Sequence, residues 1–428
     1  MSPLKVAFRD AEQRNDRRQQ QQRRRARREY AHEQPERRHQ RDGSEGVPLS
    51  LFSFPDVADT GFVLGHMGSK GRVEKPLSTP GTVAAFESPK PHTGSPSGSP
   101  VKRIQLGNTV FEGKNDVYLL DGETTVLVDT GVATAAVRDQ LRSELAEFSV
   151  EFADVDEILV THWHYDHAGL AGEIQAESDA VVRVHEADAP LVAGEESALS
   201  AENETTRRKL REWGLPDDRR EELLEFLSEH ESLAGRPAEV TPFADGDTFA
   251  IDGREFEAVH LPGHSAGLSA FAFEGDAGEE AFVGDAILPK YTPNVGGADV
   301  RLDAPLELYV DSLVRFIDRD FDRAWPGHRD VIDEPSARAA TILEHHRERT
   351  ENVVGVLREQ GPSDPWTVSA ALFGDLKNIH VLHGPGEAYA HLAHLAERGV
   401  AERDGNAYEL VDENPDIDDL FPTVDDSA

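Results

Sequence analysis

The stretch EILVTHWHYDH, residues 157–167, decides how this chain is read. Its first half is an apolar run of strand length. Its second half sets three imidazoles and one carboxylate in the order His-x-His-x-Asp-His: His162, His164, Asp166 and His167. A loop that follows a buried strand turns several such side chains toward one point, and four donors at this spacing are not what a solvated surface needs. Imidazole nitrogen and carboxylate oxygen suit Zn2+, and non-haem Fe or Mn accept the same donors. No cysteine occurs in the chain, which excludes disulfides, thiolate zinc sites and cysteine nucleophiles.

Working outward, the segments on both sides alternate between strand and helix patterns. VYLLDGETTVLVDTG (117–131) is two apolar strands around an Asp-Gly turn, and ATAAVRDQLRSELAEF (133–148) has helical periodicity. AVVRVHEADAPLV (180–192) repeats strand then helix, with His185 ending the strand as a structural residue. Residues 196–235 are polar and helical and interrupt the alternation, with Trp213, Leu215 and Phe226 as their large apolar residues. Strands return in TFAIDGREFEAVHLPGH, SAFAFEG and EEAFVGD, followed by helices at 304–318 and 336–360. Three further residues sit on glycine-bearing loops after apolar runs: His264 in HLPGHSAG, Asp285 in FVGDA and His328 in WPGH. Each motif is weak alone; their number and order after the histidine cluster make them candidate ligands, with Asp129 of LVDTG completing the set. Lys290 and Tyr291, just after the Gly-Asp motif, are candidate substrate-facing residues. His345 and His346, and the i, i+3 pair His391 and His394, read as packing or solvated-face residues. No Gly-x-Ser-x-Gly elbow is present, so a serine nucleophile has no support.

Charge divides the chain at residue 100. Residues 1–100 hold 17 Lys+Arg against 12 Asp+Glu, whereas 101–428 hold 27 against 69, and only five of those 27 are lysines. Self-repulsion of that size destabilises a compact state in ordinary cytosol, but in molar salt the Debye length falls to about 3 Å and the carboxylates favour solubility. A salt-in halophile, a haloarchaeon, is the expected host. The Arg/Gln-rich stretch 14–41 and the Pro/Ser/Gly string 76–100 cannot bury a core. They read as a nucleic-acid-binding arm, as a disordered tail, or as sequence that is not part of the native protein, with Met67 and Val101 as alternative starts. No run of 18 apolar residues exists and the N-terminus does not have a signal-peptide pattern, so a cytoplasmic protein with no membrane partner is expected.

The ordered series VDTG, THWHYDH, PGH, GD and PGH resembles the five motifs of the metallo-β-lactamase superfamily over roughly 101–335. The resemblance implies an α/β fold, a four-layer αββα sandwich carrying the helical insertion 196–235. It implies one metal held by His162, His164 and His264, and a second held by Asp166, His167 and His328, with Asp285 bridging. Asp129 would orient the ligand loop. Two Zn2+ per chain, or Fe or Mn, would supply an activated water, with Asp166 also helping to orient it and handle its proton.

The C-terminal pattern is helix (366–373), helix (385–398) and a hairpin at Asp404-Gly405, which reads as a small winged-helix-like domain over 336–415 before an acidic tail, 416–428. That combination is similar to glyoxalase-II-like hydrolases with a β-lactamase-associated winged helix. It implies hydrolysis of a small thioester, lactone or other acyl ester by a monomer or homodimer. Endoribonuclease or phosphodiesterase chemistry is the alternative, although GEAYAHLAHLAER, the candidate recognition helix, holds two glutamates and one arginine and phosphate affinity rests on cations. A DNA-binding regulator and a mononuclear-iron persulfide dioxygenase are the remaining readings.

Overall fold

The computed structural model describes residues 101–107 and 114–423. The expected N-terminal extension 1–100 and the last residues of the acidic tail lie outside the described residues.

The first sheet follows chain order. β1 (Val101–Leu106), β2 (Asn115–Asp121) and β3 (Thr125–Val128) form an antiparallel meander. After helix α1 (Ala135–Ala146), capped by the Thr134 hydroxyl that accepts from the Val137 amide, come β4 (Glu157–Leu159), α2 (Tyr165–Ala168) and α3 (Ala171–Ser178). β5 (Val181–His185), α4 (Ala189–Val192), the insertion helices α5 (Glu196–Glu212) and α6 (Asp217–His230), and β6 (Val240–Phe243) complete this half. β3 to β6 pair in parallel. The second sheet has the order β11-β10-β9-β8-β7, built from β7 (Thr248–Ile251), β8 (Arg254–His260), β9 (Ser269–Glu274) and β10 (Glu279–Gly284). Helix α7 (Pro305–Arg319) then leads to β11 (Arg323–Pro326), which lies parallel to β10.

Strand alternation builds the layers, because successive side chains leave a strand on opposite faces. On β2, Tyr118 and Leu120 face inward and meet Phe271, Phe273, Phe282 and Trp325 of the second sheet, while Val117 and Leu119 face outward toward Leu141 and Leu145 of α1. Behind the second sheet, Val259, Ala270 and Val283 pack against Leu306, Leu313 and Phe316 of α7. Helices thus cover both outer faces, giving the expected αββα sandwich.

The chain ends with α8 (Pro335–Gln360), α9 (Pro365–Phe373), α10 (His380–Glu397) and the hairpin β12 (Ala401–Asp404) and β13 (Ala407–Leu410). The sequence places the start of α10 at 385; the helix begins at His380 and runs through Pro385. Proline near the first turn removes one backbone bond. Burial of Val381 and Leu382 against Trp213 and Leu215 of the insertion offsets that loss. Consequently α10 is sandwiched, with thirteen of its eighteen residues buried, and presents no open face as a recognition helix must. His346, His391 and His394 are buried packing residues, with the Thr350 hydroxyl against His391 at 2.7 Å. His185 stacks on His260 at 3.9 Å. No helix among the described residues is long and apolar enough to cross a membrane.

Candidate metal centre

The residues singled out in the sequence converge where the two sheets open at one end. His162, His164, Asp166 and His167 follow β4, with the last two in the single turn of α2; His264 follows β8, Asp285 follows β10 and His328 follows β11. They form three overlapping groups whose ligand atoms lie within 4.8 Å of one another: His162–His164–His264, His162–His167–Asp285, and Asp166–His167–His328. Asp285 stands between the first and last, its Oδ2 3.6 Å from His264 Nε2 and 3.5 Å from His328 Nε2. Its Oδ1 is 3.6 Å from His167 Nε2.

The outer nitrogen of each of the five histidines meets an oxygen acceptor. His167 Nδ1 donates to Asp129 Oδ2 at 2.8 Å, His328 Nδ1 to the Lys114 carbonyl at 3.0 Å, and His264 Nδ1 to the Asn294 carbonyl at 2.9 Å. His164 Nε2 donates to the Ala298 carbonyl at 2.9 Å, and His162 Nδ1 lies 3.1 Å from the Thr161 hydroxyl, whose own proton goes to Asp129. A neutral imidazole that donates on one side presents a lone pair on the other. The inward atoms of the neutral His162, His164 and His264 are therefore bare acceptors aimed at one another: His164 Nδ1 is 2.9 Å from His162 Nε2 and 3.1 Å from His264 Nε2. Those spacings approach the roughly 3.3 Å edge of a tetrahedron of nitrogens bound at 2.0–2.1 Å. His167 Nε2 and Asp285 Oδ1 are buried without a hydrogen-bond partner, an expensive arrangement that a cation between them would satisfy. The donor set fits metal.

Electrostatics in the metal-free site separates the two ends. Burial holds His162 well below the usual histidine range, reinforced by the neighbouring imidazoles, and pushes His164 down to about 4. Burial also opposes charge on His167, but Asp285, Asp166 and Asp129 together raise it to about 9. Against the same burial, His328 and His167 hold Asp285 well below the usual carboxylate range. Carboxylates and the His167 proton meet at the Asp166–His167–His328 end, whereas burial keeps the three-histidine end neutral.

Comparison with known proteins agrees with this geometry. Residues 110–328 match the family described as the metallo-beta-lactamase superfamily, just over half of the chain. The chain belongs to the metallo-β-lactamase superfamily. A solved metallo-β-lactamase family protein of Thermus thermophilus is 29% identical, with TM-score 0.63, over 72% of this chain and 98% of that one. "Probable metallo-hydrolase YqjP" of Bacillus subtilis is 25% identical over 284 residues, 64% of this chain and 86% of that protein. "Atrochrysone carboxyl ACP thioesterase" of Aspergillus chevalieri is 22% identical over 283 residues, 65% of this chain and 73% of that protein. The chain is thus a metallo-hydrolase of this superfamily.

Several further residues of this metallo-β-lactamase fold support the ligands. Asn115, at the start of β2, donates from Nδ2 to Asp166 Oδ2 at 3.1 Å. Gly327 has no room for a side chain, because a Cβ there would meet His167 Cε1 at 2.5 Å and Asp285 Oδ1 at 2.7 Å. Two buried carboxylates and a half-buried arginine join the two ligand loops. Asp188 accepts from the Trp163 amide and the Ser265 hydroxyl, and Asp299 accepts from the Ala266 amide. Arg301 lies between the two carboxylates, 2.5 Å from Asp188 Oδ1. Nothing in the local pattern of HEADAPL or GGADVRL marks these residues; only their convergence does. Replacing Arg301 with Leu leaves two carboxylates buried without their cation and should cost about 3–5 kcal/mol in chemical denaturation. A loss below about 1 kcal/mol, the ceiling for most exposed pairs, would show that the triad does not hold the loops.

The Tyr291 ring lies 5.3 Å from the Lys290 ammonium and 4.3 Å from the Arg329 guanidinium, and the Tyr291 carbonyl accepts from Arg338 at 2.9 Å.

Proposed function

We propose that this protein hydrolyses a small acyl ester, a thioester first among the candidates, at a centre of two metal ions, Zn2+ being the ion its nitrogen and oxygen donors suit best. The observation that carries the reading is Asp285 facing both ligand clusters, with oxygens 3.5–3.6 Å from histidine nitrogens of each. His162, His164 and His264 hold one ion; Asp166, His167 and His328 hold the other. Bound there, the two ions supply a water ionised near neutral pH and a positive charge for the acyl oxygen. Asp166, kept anionic against its burial by His167 and His328, is placed to take the proton. Asp129 keeps His167 in the tautomer that leaves Nε2 bare.

The thioesterase among the relatives supports acyl chemistry, and the sandwiched α10 argues against nucleic acid. We read residues 336–415 as a winged-helix-like unit whose third helix has been recruited into the hydrolase. The strongly acidic surface fits a salt-in halophile's cytoplasm, with a small molecule as the only partner required.

The test is elemental analysis of protein purified in high salt, followed by assay on thioester, lactone, phosphodiester and RNA substrates. Two zinc ions per chain with thioester or lactone turnover is the expected result. RNA cleavage would replace the substrate class, and one iron per chain with oxygen uptake would replace the reaction.

Proton linkage gives a separate check. A ligand nitrogen must be bare to bind metal, and His167 is protonated below about pH 9 in the metal-free site. Metal loading at neutral pH should therefore release a proton, and affinity at the Asp166–His167–His328 end should fall roughly tenfold per unit as pH is lowered below 9. Calorimetry in two buffers of different ionisation enthalpy reads this directly. A proton count of zero at pH 7 would remove His167 from the ligand set.

A further inference from the structure

The three-histidine cluster depends on a segment far along the chain. Two of its three outer nitrogens, His264 Nδ1 and His164 Nε2, donate to carbonyls of one short loop, those of Asn294 and Ala298. Residues of the other cluster are held differently: His167 by Asp129 and His328 by the Lys114 carbonyl, both within the first sheet and its loops.

The C-terminal helices hold the 294–298 loop in three ways. Asn294 Nδ2 donates to the His383 carbonyl of α10 at 3.2 Å and to Glu387 Oε2 at 3.1 Å. Glu387 Oε1 in turn accepts from Arg349 of α8 at 2.5 Å, and both members of that pair are largely shielded from solvent. The backbones also touch. A Cβ on Gly386 of α10 would meet Gly297 Cα at 2.3 Å, and one on Gly297 would meet His383 Cα at 2.5 Å, so loop and helix meet at glycines on both sides. Asn294 closes the loop on itself by accepting from the Gly297 amide at 3.1 Å. A continuous path runs from the α8–α10 ion pair through one amide side chain to the carbonyl that orients His264.

We propose that the C-terminal helices aim the three-histidine end of the site, with Asn294, Glu387 and Arg349 as positioning residues for His264 and His164. The inference rests on the reading of His162, His164 and His264 as a metal cluster. It makes the C-terminal segment a part of the centre rather than an appended module. Partners of metal-bound histidines typically contribute 10–100-fold in metal affinity, roughly the scale expected here. The effect is selective, since the Asp166–His167–His328 end has its own acceptors.

Two measurements on the full chain test it. Co2+ is titrated spectroscopically into Asn294→Ala and Glu387→Ala, each in a His328→Ala background that leaves the three-histidine cluster complete, and each in a His162→Ala background that leaves the other. A weakening of about 10–100-fold at the three-histidine cluster is expected, with the other unchanged and Glu387→Gln, which keeps an acceptor oxygen for Asn294, recovering most of the loss. Equal affinities throughout, or equal weakening of both clusters, would overturn the proposal. Arg349→Gln, which removes the cation paired with Glu387, replaces any variant that does not fold, and the same selectivity is required of it. The second measurement needs no metal: long-range 1H–15N spectra of the metal-free protein report the tautomer of His264. The Nδ1–H form should dominate in the parent chain and lose that dominance in Asn294→Ala. If the parent binds no metal and the tautomer still shifts, the proposed function fails while the positioning role stands; an unshifted tautomer removes the role.

Discussion

Asp285→Asn is expected to lower hydrolysis by at least about 1,000-fold, at the upper end of what single electrostatic groups contribute in active sites. Asp285 is the carboxylate whose oxygens face both clusters, with Oδ1 toward His167 and Oδ2 toward His264 and His328. The amide keeps the shape and removes the negative charge that the proposed pair of cations would require. It also turns one bare acceptor into a donor, aimed at imidazole nitrogens already committed to bind metal. Metal analysis should fall from two ions per chain toward one, in parallel with kcat, while the fold is retained. Full activity with two ions bound would remove Asp285 from the centre.

Asp129→Asn should be nearly as damaging, although Asp129 lies behind the ligands. Both of its oxygens accept: Oδ1 from the Thr161 amide at 2.8 Å, Oδ2 from the Thr161 hydroxyl at 2.9 Å and from His167 Nδ1 at 2.8 Å. An amide nitrogen in the Oδ2 position would present a donor to His167 Nδ1 and force the proton onto Nε2, the metal-facing atom. In the Oδ1 position it would meet the backbone N–H of Thr161 instead. Neither rotamer satisfies both neighbours, so an isosteric change should cost about 100-fold in affinity at the Asp166–His167–His328 end, the upper range for such partners. Asp129 also adopts a left-handed backbone, with φ 59, which Asn tolerates as well as Asp. That leaves side-chain hydrogen bonding as the cause of the loss. Normal metal affinity with lowered melting temperature would show a role in stability alone.

Much of the site was legible because its ligands sit in short motifs with strong local grammar. THWHYDH places four of them within seven residues after a strand, and HLPGHSAG, FVGDA and WPGH place the other three on glycine turns beyond apolar runs. The sandwich was legible only through the family resemblance: Val117, Tyr118, Leu119 and Leu120 are uniformly apolar and buried, and only the fold divides them between an inward and an outward face. The end of α10 was legible and its beginning was not, because Pro385 and two glycines read locally as a break. Burial of Val381 and Leu382 against the insertion is a long-range term that no local pattern carries.

What the sequence determined by itself is the donor inventory and its order: histidines and carboxylates without thiols, on loops that follow strands, which points to a metal centre of nitrogen and oxygen donors and leaves open the reaction it serves. What only the tertiary structure decided is which nitrogen of each histidine faces the centre, and what holds it there. Those choices belong to acceptors at a distance in sequence, from Asp129, 38 residues before His167, to Lys114, 214 residues before His328. A backbone carbonyl has no residue type, so the Asn294 and Ala298 oxygens that orient His264 and His164 leave no mark in the chain, and only folding brings them to the imidazoles they aim.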